Sequence, residues 1–159
     1  MAVTVEMLKE RLKDIAYITE DIEEQTERVE VLRDKMTSVS APILTGMPKN
    51  PSPDPDHMTM AIYKITAIEE DIKQKQRKLL QEMDWIESVI SYLKTGKERC
   101  IIRYKYIDME SWNDTFFHVY GGEEDFTERE DTYNRKMYAT HKKALQKMVD
   151  AINKYDLWK

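Results

Sequence analysis

The residue types best suited to chemistry lie near the end of the chain. Residues 132–149 contain no aspartate or glutamate and carry Arg135, Lys136, Lys142, Lys143 and Lys147. Guanidinium and ammonium groups clustered on one segment form charge-assisted hydrogen bonds with phosphate oxygens, so this run points first to a nucleic-acid backbone. A solvated helix face has the same composition. The other reactive side chains give less. His57, His118 and His141 fall in different segments without metal-ligand spacing, which predicts no metal and no cofactor. Cys100, the one cysteine, sits between apolar neighbours and reads as a small buried hydrophobe rather than a thiolate. With no glycine-rich phosphate loop, no nucleophile paired with a base and no carboxylate cluster, the chain does not read as an enzyme and no catalytic residue is assigned.

The elements that position the basic run are helical. Charged residues make up 35% of the 159 and hydrophobic ones 41%, with four glycines and five prolines, the balance of long amphipathic helices. The fold class expected is all-α: a long antiparallel, coiled-coil-like helical hairpin over residues 1–96, then a small helical unit over 97–159. In steps of seven, Leu8, Ile15, Ile22, Val29 and Met36 form one apolar seam, with Leu12, Ile18 and Leu32 beside it. Ile65, Ile72, Leu79, Ile86 and Leu93 form a second, flanked by Ile62, Met83 and Ile90. All five prolines, Pro42, Pro48, Pro51, Pro53 and Pro55, fall in the 37–56 linker, where they rule out continuous helix. Two helices leave one side of each seam incompletely covered, which predicts a homo-oligomer. No apolar run approaches the roughly 20 residues of a membrane span, and a lone cysteine allows no internal disulfide, so a cytoplasmic location is expected.

Beyond the hairpin, Gly96 is expected to close the second helix in a left-handed cap. A short helix over 97–107 would turn Cys100, Ile101, Tyr104 and Ile107 inward. Residues 108–110 turn the chain, and Ser111 with Asp114 three residues on caps a short helix whose stripe is Trp112, Phe116 and Val119. Gly121 and Gly122 end it. The final helix carries Met137, His141, Ala144, Leu145, Met148, Ile152 and Tyr155 on one face and Arg135, Ala139, Lys142 and Gln146 on the other. Thr127 and Glu130 have capping-box spacing, which would start that helix near Glu128.

A short helix, a turn, a two-turn helix and a basic amphipathic helix is the order of a helix-turn-helix reader. The residues that carry a closer likeness are the run from Arg99 to Ile107 (RCIIRYKYI), then Ser111 and Trp112, then the run from Met137 to Met148 with its His141, Ala144 and Leu145. They resemble the phage-encoded transcriptional regulators of the RinA and ArpU type, whose C-terminal part is similar to region 4 of sigma-70 factors. The resemblance covers mainly residues 98–148. It implies that Trp112 is a core anchor, that His141 and Leu145 hold the recognition helix down, and that Thr132, Tyr133, Arg135, Lys136, Ala139, Lys142 and Lys143 face DNA. Double-stranded DNA is the partner implied, with RNA polymerase a further one. One departure is plain: residues 122–131 form an insert of ten in which six are acidic. That insert and the net charge of −5 support an alternative, a helical interaction or inhibitor protein that occupies a partner's surface with its acidic faces.

Overall fold

The computed structural model describes residues 1–39 and 55–159, with side chains described for 1–37 and 58–159. The prolines at 42, 48, 51 and 53 lie outside the described residues. All regular structure among the described residues is helical: α1 (Val5–Val39), α2 (Pro55–Ile90), α3 (Gly96–Ile102) running into a π-helical turn (Arg103–Ile107), α4 (Trp112–Tyr120) and α5 (Glu130–Tyr155). The two long helices, 35 and 36 residues, are antiparallel partners, since the residues paired between them run in opposite order: Asp21 with Lys75, Gln25 with Asp71, Arg33 with Glu69.

The chain forms two compact units. One comprises Met1–Tyr17 with Leu80–Lys159, the other Ile18–Leu79. Both long helices run through both units, because the ends of the hairpin helices pack with the C-terminal helices rather than only with each other.

In the Ile18–Leu79 unit the two seams meet. Val29, Ile65 and Ile72 are buried, with Ile22, Leu32, Met36 and Ile68 packed against them. Leu79 is half-buried, whereas Ile62, expected beside the seam, is exposed, and so are other large apolar side chains such as Tyr63 and Val31. Polar pairs flank the seam: Lys75 bridges Asp21 at 2.5 Å and Asp71 at 2.8 Å, and this double contact holds the Asp71 carboxyl below its ordinary range and the Lys75 ammonium above its own.

The other unit holds most of the buried apolar residues. Leu8, Leu12 and Ile15 of α1, Ile86, Val89 and Ile90 of α2, Leu93, and Ala144, Leu145, Met148 and Ile152 of α5 are all 1% exposed or less. Three polar anchors fix their elements. Arg11 makes a two-point bridge to Glu82, at 2.7 and 3.1 Å, and lies 3.6 Å over the Trp85 ring. Trp85 donates its indole N–H to the Leu157 carbonyl at 2.7 Å. Asn153 accepts from the Val3 amide and donates to its carbonyl, at 2.8 and 2.9 Å.

Several local expectations change. Gly96 does not cap α2: no glycine among the described residues has positive φ, and Gly96 is the first residue of α3, with open space where a Cβ would stand. The chain leaves α2 through a tight turn instead, with Leu93 N–H on Ile90 O. Cys100 is exposed, because α3 turns Glu98, Ile101 and Ile102 inward. Tyr104 and Ile107 are only half-buried, since the π turn displaces the helical register. The chain reverses at Met109, which takes a left-handed φ of 55°. The Ser111 cap forms as expected, its hydroxyl accepting from the Asp114 amide at 3.1 Å. Gly121 ends α4, and a Cβ there would stand 2.4 Å from the Phe117 carbonyl oxygen, so this position needs glycine. Tyr155 is 48% exposed but stacks on Tyr92 at 4.7 Å.

Truncation should separate the two units. Ile86→Ala, at a fully buried site, should cost about 3 to 4 kcal/mol, and Ile72→Ala, at a thinner seam, about 2 kcal/mol, measured by urea denaturation followed by circular dichroism. Equal losses would show that the Val29, Ile65, Ile72 seam is as well packed as the other core.

Candidate nucleic-acid interface

The placement of α5 begins with its apolar stripe. Tyr133 and Met137 join Ile101 of α3 and Phe116 and Tyr120 of α4 in one buried cluster, against which Trp112, Val119 and Phe126 pack. Trp112, expected as a core anchor, is thus a half-buried wall. Its ring meets His141 edge-on at 4.7 Å and Tyr138 at 5.4 Å.

The acidic insert is tied down rather than left as a loose loop. Phe126 packs between Phe116 and Phe117 at 5.2 and 5.6 Å, Glu123 pairs with Lys97 at 2.8 Å, and Asp125 accepts the Tyr133 hydroxyl at 2.5 Å and an Arg129 N–H at 3.2 Å. The Tyr133 bond lowers the Asp125 pKa and raises that of Tyr133. The capping box at Thr127 does not form. Helix α5 starts at Glu130, with Arg129 as N-cap and no side-chain cap bond, because Phe126 fixes the preceding turn before a helix can begin.

Of the residues expected to face DNA, Thr132, Arg135, Lys136, Ala139, Lys142 and Lys143 are exposed on α5. Tyr133 is not: it is buried, with its hydroxyl engaged on Asp125, because it falls on the stripe that Met137 continues one turn later. Lys136 leans over the Tyr133 ring at 5.5 Å. Among the described residues no carboxylate pairs with Arg135, Lys136, Lys142 or Lys143. Eight other cations, Arg11, Arg28, Arg33, Lys75, Lys97, Arg103, Arg129 and Lys147, each meet an acid. Lys147 is thereby removed from the basic face, since it bridges the buried Glu98 at 2.6 Å.

A hollow lies on each side of this exposed ridge. One, of 690 Å³, is lined by Val5, Glu6 and Lys9 of α1 and by Ala139, His141, Lys142, Lys143, Leu145 and Gln146 of α5. The other, of 380 Å³, is lined by Thr95, Lys97, Glu98 and Tyr120 opposite Lys136, Ala139, Thr140 and Lys143. Ala139 and Lys143 border both, so they crown the ridge. Reading α5 alone could not find Lys9 or Lys97, because nothing in the local pattern of either residue says which helix it faces.

His141 behaves as a packing residue. Burial, with the nearby charges of Lys9 and Lys105 acting in the same direction, lowers its pKa to about 4, and burial raises that of Tyr106 to about 12. Both groups are therefore neutral near pH 7, and the Tyr106 hydroxyl and His141 Nε2 share a hydrogen bond of 2.8 Å. His118 lies apart, its ring nitrogen 2.9 Å from Glu110. Among the described residues no three His, Cys, Asp or Glu side chains gather as metal ligands, and no helix is long and apolar enough to cross a membrane.

No family model, curated protein or solved structure matches the chain.

The lowered pKa of His141 has a stability consequence. The unfolded chain takes up a proton near pH 6.5, whereas the folded chain resists it until about 4. Its contribution is thus fully present above pH 6.5 and lost as the pH falls toward 4. Between those limits the parent should lose about 1 to 2 kcal/mol more than His141→Gln, after allowance for partial exposure. Parallel pH profiles of urea stability for the two proteins would refute the assignment.

Proposed function

We propose that the chain is a DNA-binding transcriptional regulator of the phage or prophage type, with α5 as its recognition helix and the hairpin serving oligomerisation or contact with RNA polymerase. The observation that carries this reading is the clustering of cations on one helix face. Arg135, Lys136, Lys142 and Lys143 share an exposed ridge on the stretch 132–149, which contains no acid, and none of them has a carboxylate partner among the described residues. A row of cations on an exposed helix face attracts a phosphate backbone, and the major groove, roughly 12 Å wide, admits a helix. Ala139 on the crest leaves room for a close approach to base edges.

The insert bears on affinity. Glu123 and Asp125 are engaged internally, whereas Glu124 and Glu128 are exposed and carry no ion pair among the described residues. They repel a duplex, and with the net charge of −5 they support the second reading, an interaction protein that works through acidic faces.

Fluorescence polarisation with duplex DNA at low and moderate salt decides between the two. A DNA reader should lose affinity steeply with salt, and Arg135→Ala with Lys142→Ala together should weaken binding roughly tenfold or more while lowering the salt slope by about 2. A double variant that binds its best duplex as well as the parent would remove α5 from the interface. Self-association is expected through the exposed apolar side chains of the Ile18–Leu79 unit, and sedimentation at micromolar concentration should show a dimer or larger species. A monomer would leave a single module without half-site symmetry.

A further inference from the structure

The 690 Å³ hollow beside α5 brings in a helix that the sequence reading left to the hairpin. Its α1 wall is Val5, Glu6 and Lys9, and its α5 wall includes Lys142 and Lys143. Lys9 is exposed and, among the described residues, has no carboxylate partner. Three ammonium groups against one carboxylate leave the hollow cationic. Its floor is made by Ala139, Leu145 and the ring of His141, which is neutral near pH 7 because Lys9 and burial both oppose its protonation. A small anion would need a converging set of buried donors, and none is present. A linear polyanion needs only a trough with cations along its rim and a flat apolar wall for the sugars.

We infer that this hollow seats one sugar-phosphate strand of a DNA duplex whose major groove holds α5, with Lys9 of α1 contacting a phosphate across the hollow from Lys142 and Lys143. The inference rests on α5 entering the groove and adds α1 as a positioning element. A helix lying in the major groove has a phosphate strand on either side, and the hollow flanks the ridge where one of those strands must run. Lys9 comes from a helix anchored to the same body by Arg11 two residues on, whose guanidinium is fixed on Glu82 and Trp85. It therefore sets the angle of the duplex on α5 without reading sequence. Glu6, on the same wall, opposes the strand and limits its affinity.

The full chain is titrated by polarisation against two unrelated duplexes over a series of salt concentrations, with Lys9→Gln, Glu6→Gln and, as a control in the other unit, Lys73→Gln. Lys9→Gln should weaken both duplexes alike, by roughly 3- to 10-fold, and lower the salt slope by about 0.9, the value of one lost phosphate contact. Glu6→Gln should tighten both, and Lys73→Gln should change neither. An unchanged slope in Lys9→Gln, with the Arg135 and Lys142 double variant impaired, overturns the Lys9 assignment and leaves the recognition helix standing. The reverse pattern, Lys9→Gln impaired and the double variant normal, takes α5 and the Lys142 wall of the hollow out of the interface and overturns the inference together with the recognition helix. A parent that binds neither duplex overturns both.

Discussion

The Arg11 guanidinium is the contact on which the arrangement of the larger unit depends. It lies 3.6 Å over Trp85 and 4.9 Å from Trp158, forms two bonds to Glu82 and a third, at 3.1 Å, to the Lys159 carbonyl. Its side chain and that of Glu82 are 17% and 18% exposed, so the pair is largely withdrawn from water. Such a pair survives only when its remaining donors are satisfied, and here the backbone carbonyl and the two ring faces do so. One side chain thereby joins the start of α1, the end of α2 and the segment after α5. The T-shaped contact of Trp85 with Trp158 at 5.6 Å and the Trp85 bond to Leu157 close the same junction.

From that junction follows the position of the basic ridge. The second half of α5 is held among buried residues by Leu145, Met148 and Ile152, and the first half by Tyr133 and Met137 against α3 and α4. With its apolar stripe used on both halves, the helix can present only one face. The cations on that face pair with no acid of their own helix among the described residues, although Asp131 stands one turn before Arg135, and the nearby insert keeps Glu123 and Asp125 on Lys97, Tyr133 and Arg129. The insert thus masks part of its own charge through contacts that also dock Phe126.

Three buried polar atoms among the described residues, on Gln25, Glu98 and Thr115, lack a partner and mark where packing and hydrogen bonding conflict. Glu98 gives one carboxylate oxygen to Lys147 and leaves the other without a partner, and the Thr115 hydroxyl is likewise unpaired. A lone buried acceptor costs about 1 to 3 kcal/mol. Glu98 is retained where it takes Lys147 off the ridge, so the polar strain and the charge pattern of α5 are linked.

The sequence by itself determined the helices and their antiparallel pairing, because seams in steps of seven at Leu8 to Met36 and Ile65 to Leu93 can be buried only on a facing helix. It also determined the Ser111 cap, the inward turn of Phe116, Met137 and Leu145, and the acid-free face of α5, all local patterns of spacing and type. Tertiary structure decided the rest. Tyr133 falls on the stripe that Met137 continues, but only the turn that Phe126 sets brings Asp125, eight residues back, to its hydroxyl. Gly96 and Cys100 took their places from the turn after α2 and from the face that α3 buries, neither of which has a one-residue signature. The division into units followed from long-range contacts such as Arg11 with Glu82, 71 residues apart. Lys9 reached the side of α5 for the same reason: periodicity says which face of a helix is buried, but only the packing of distant segments says what that face meets.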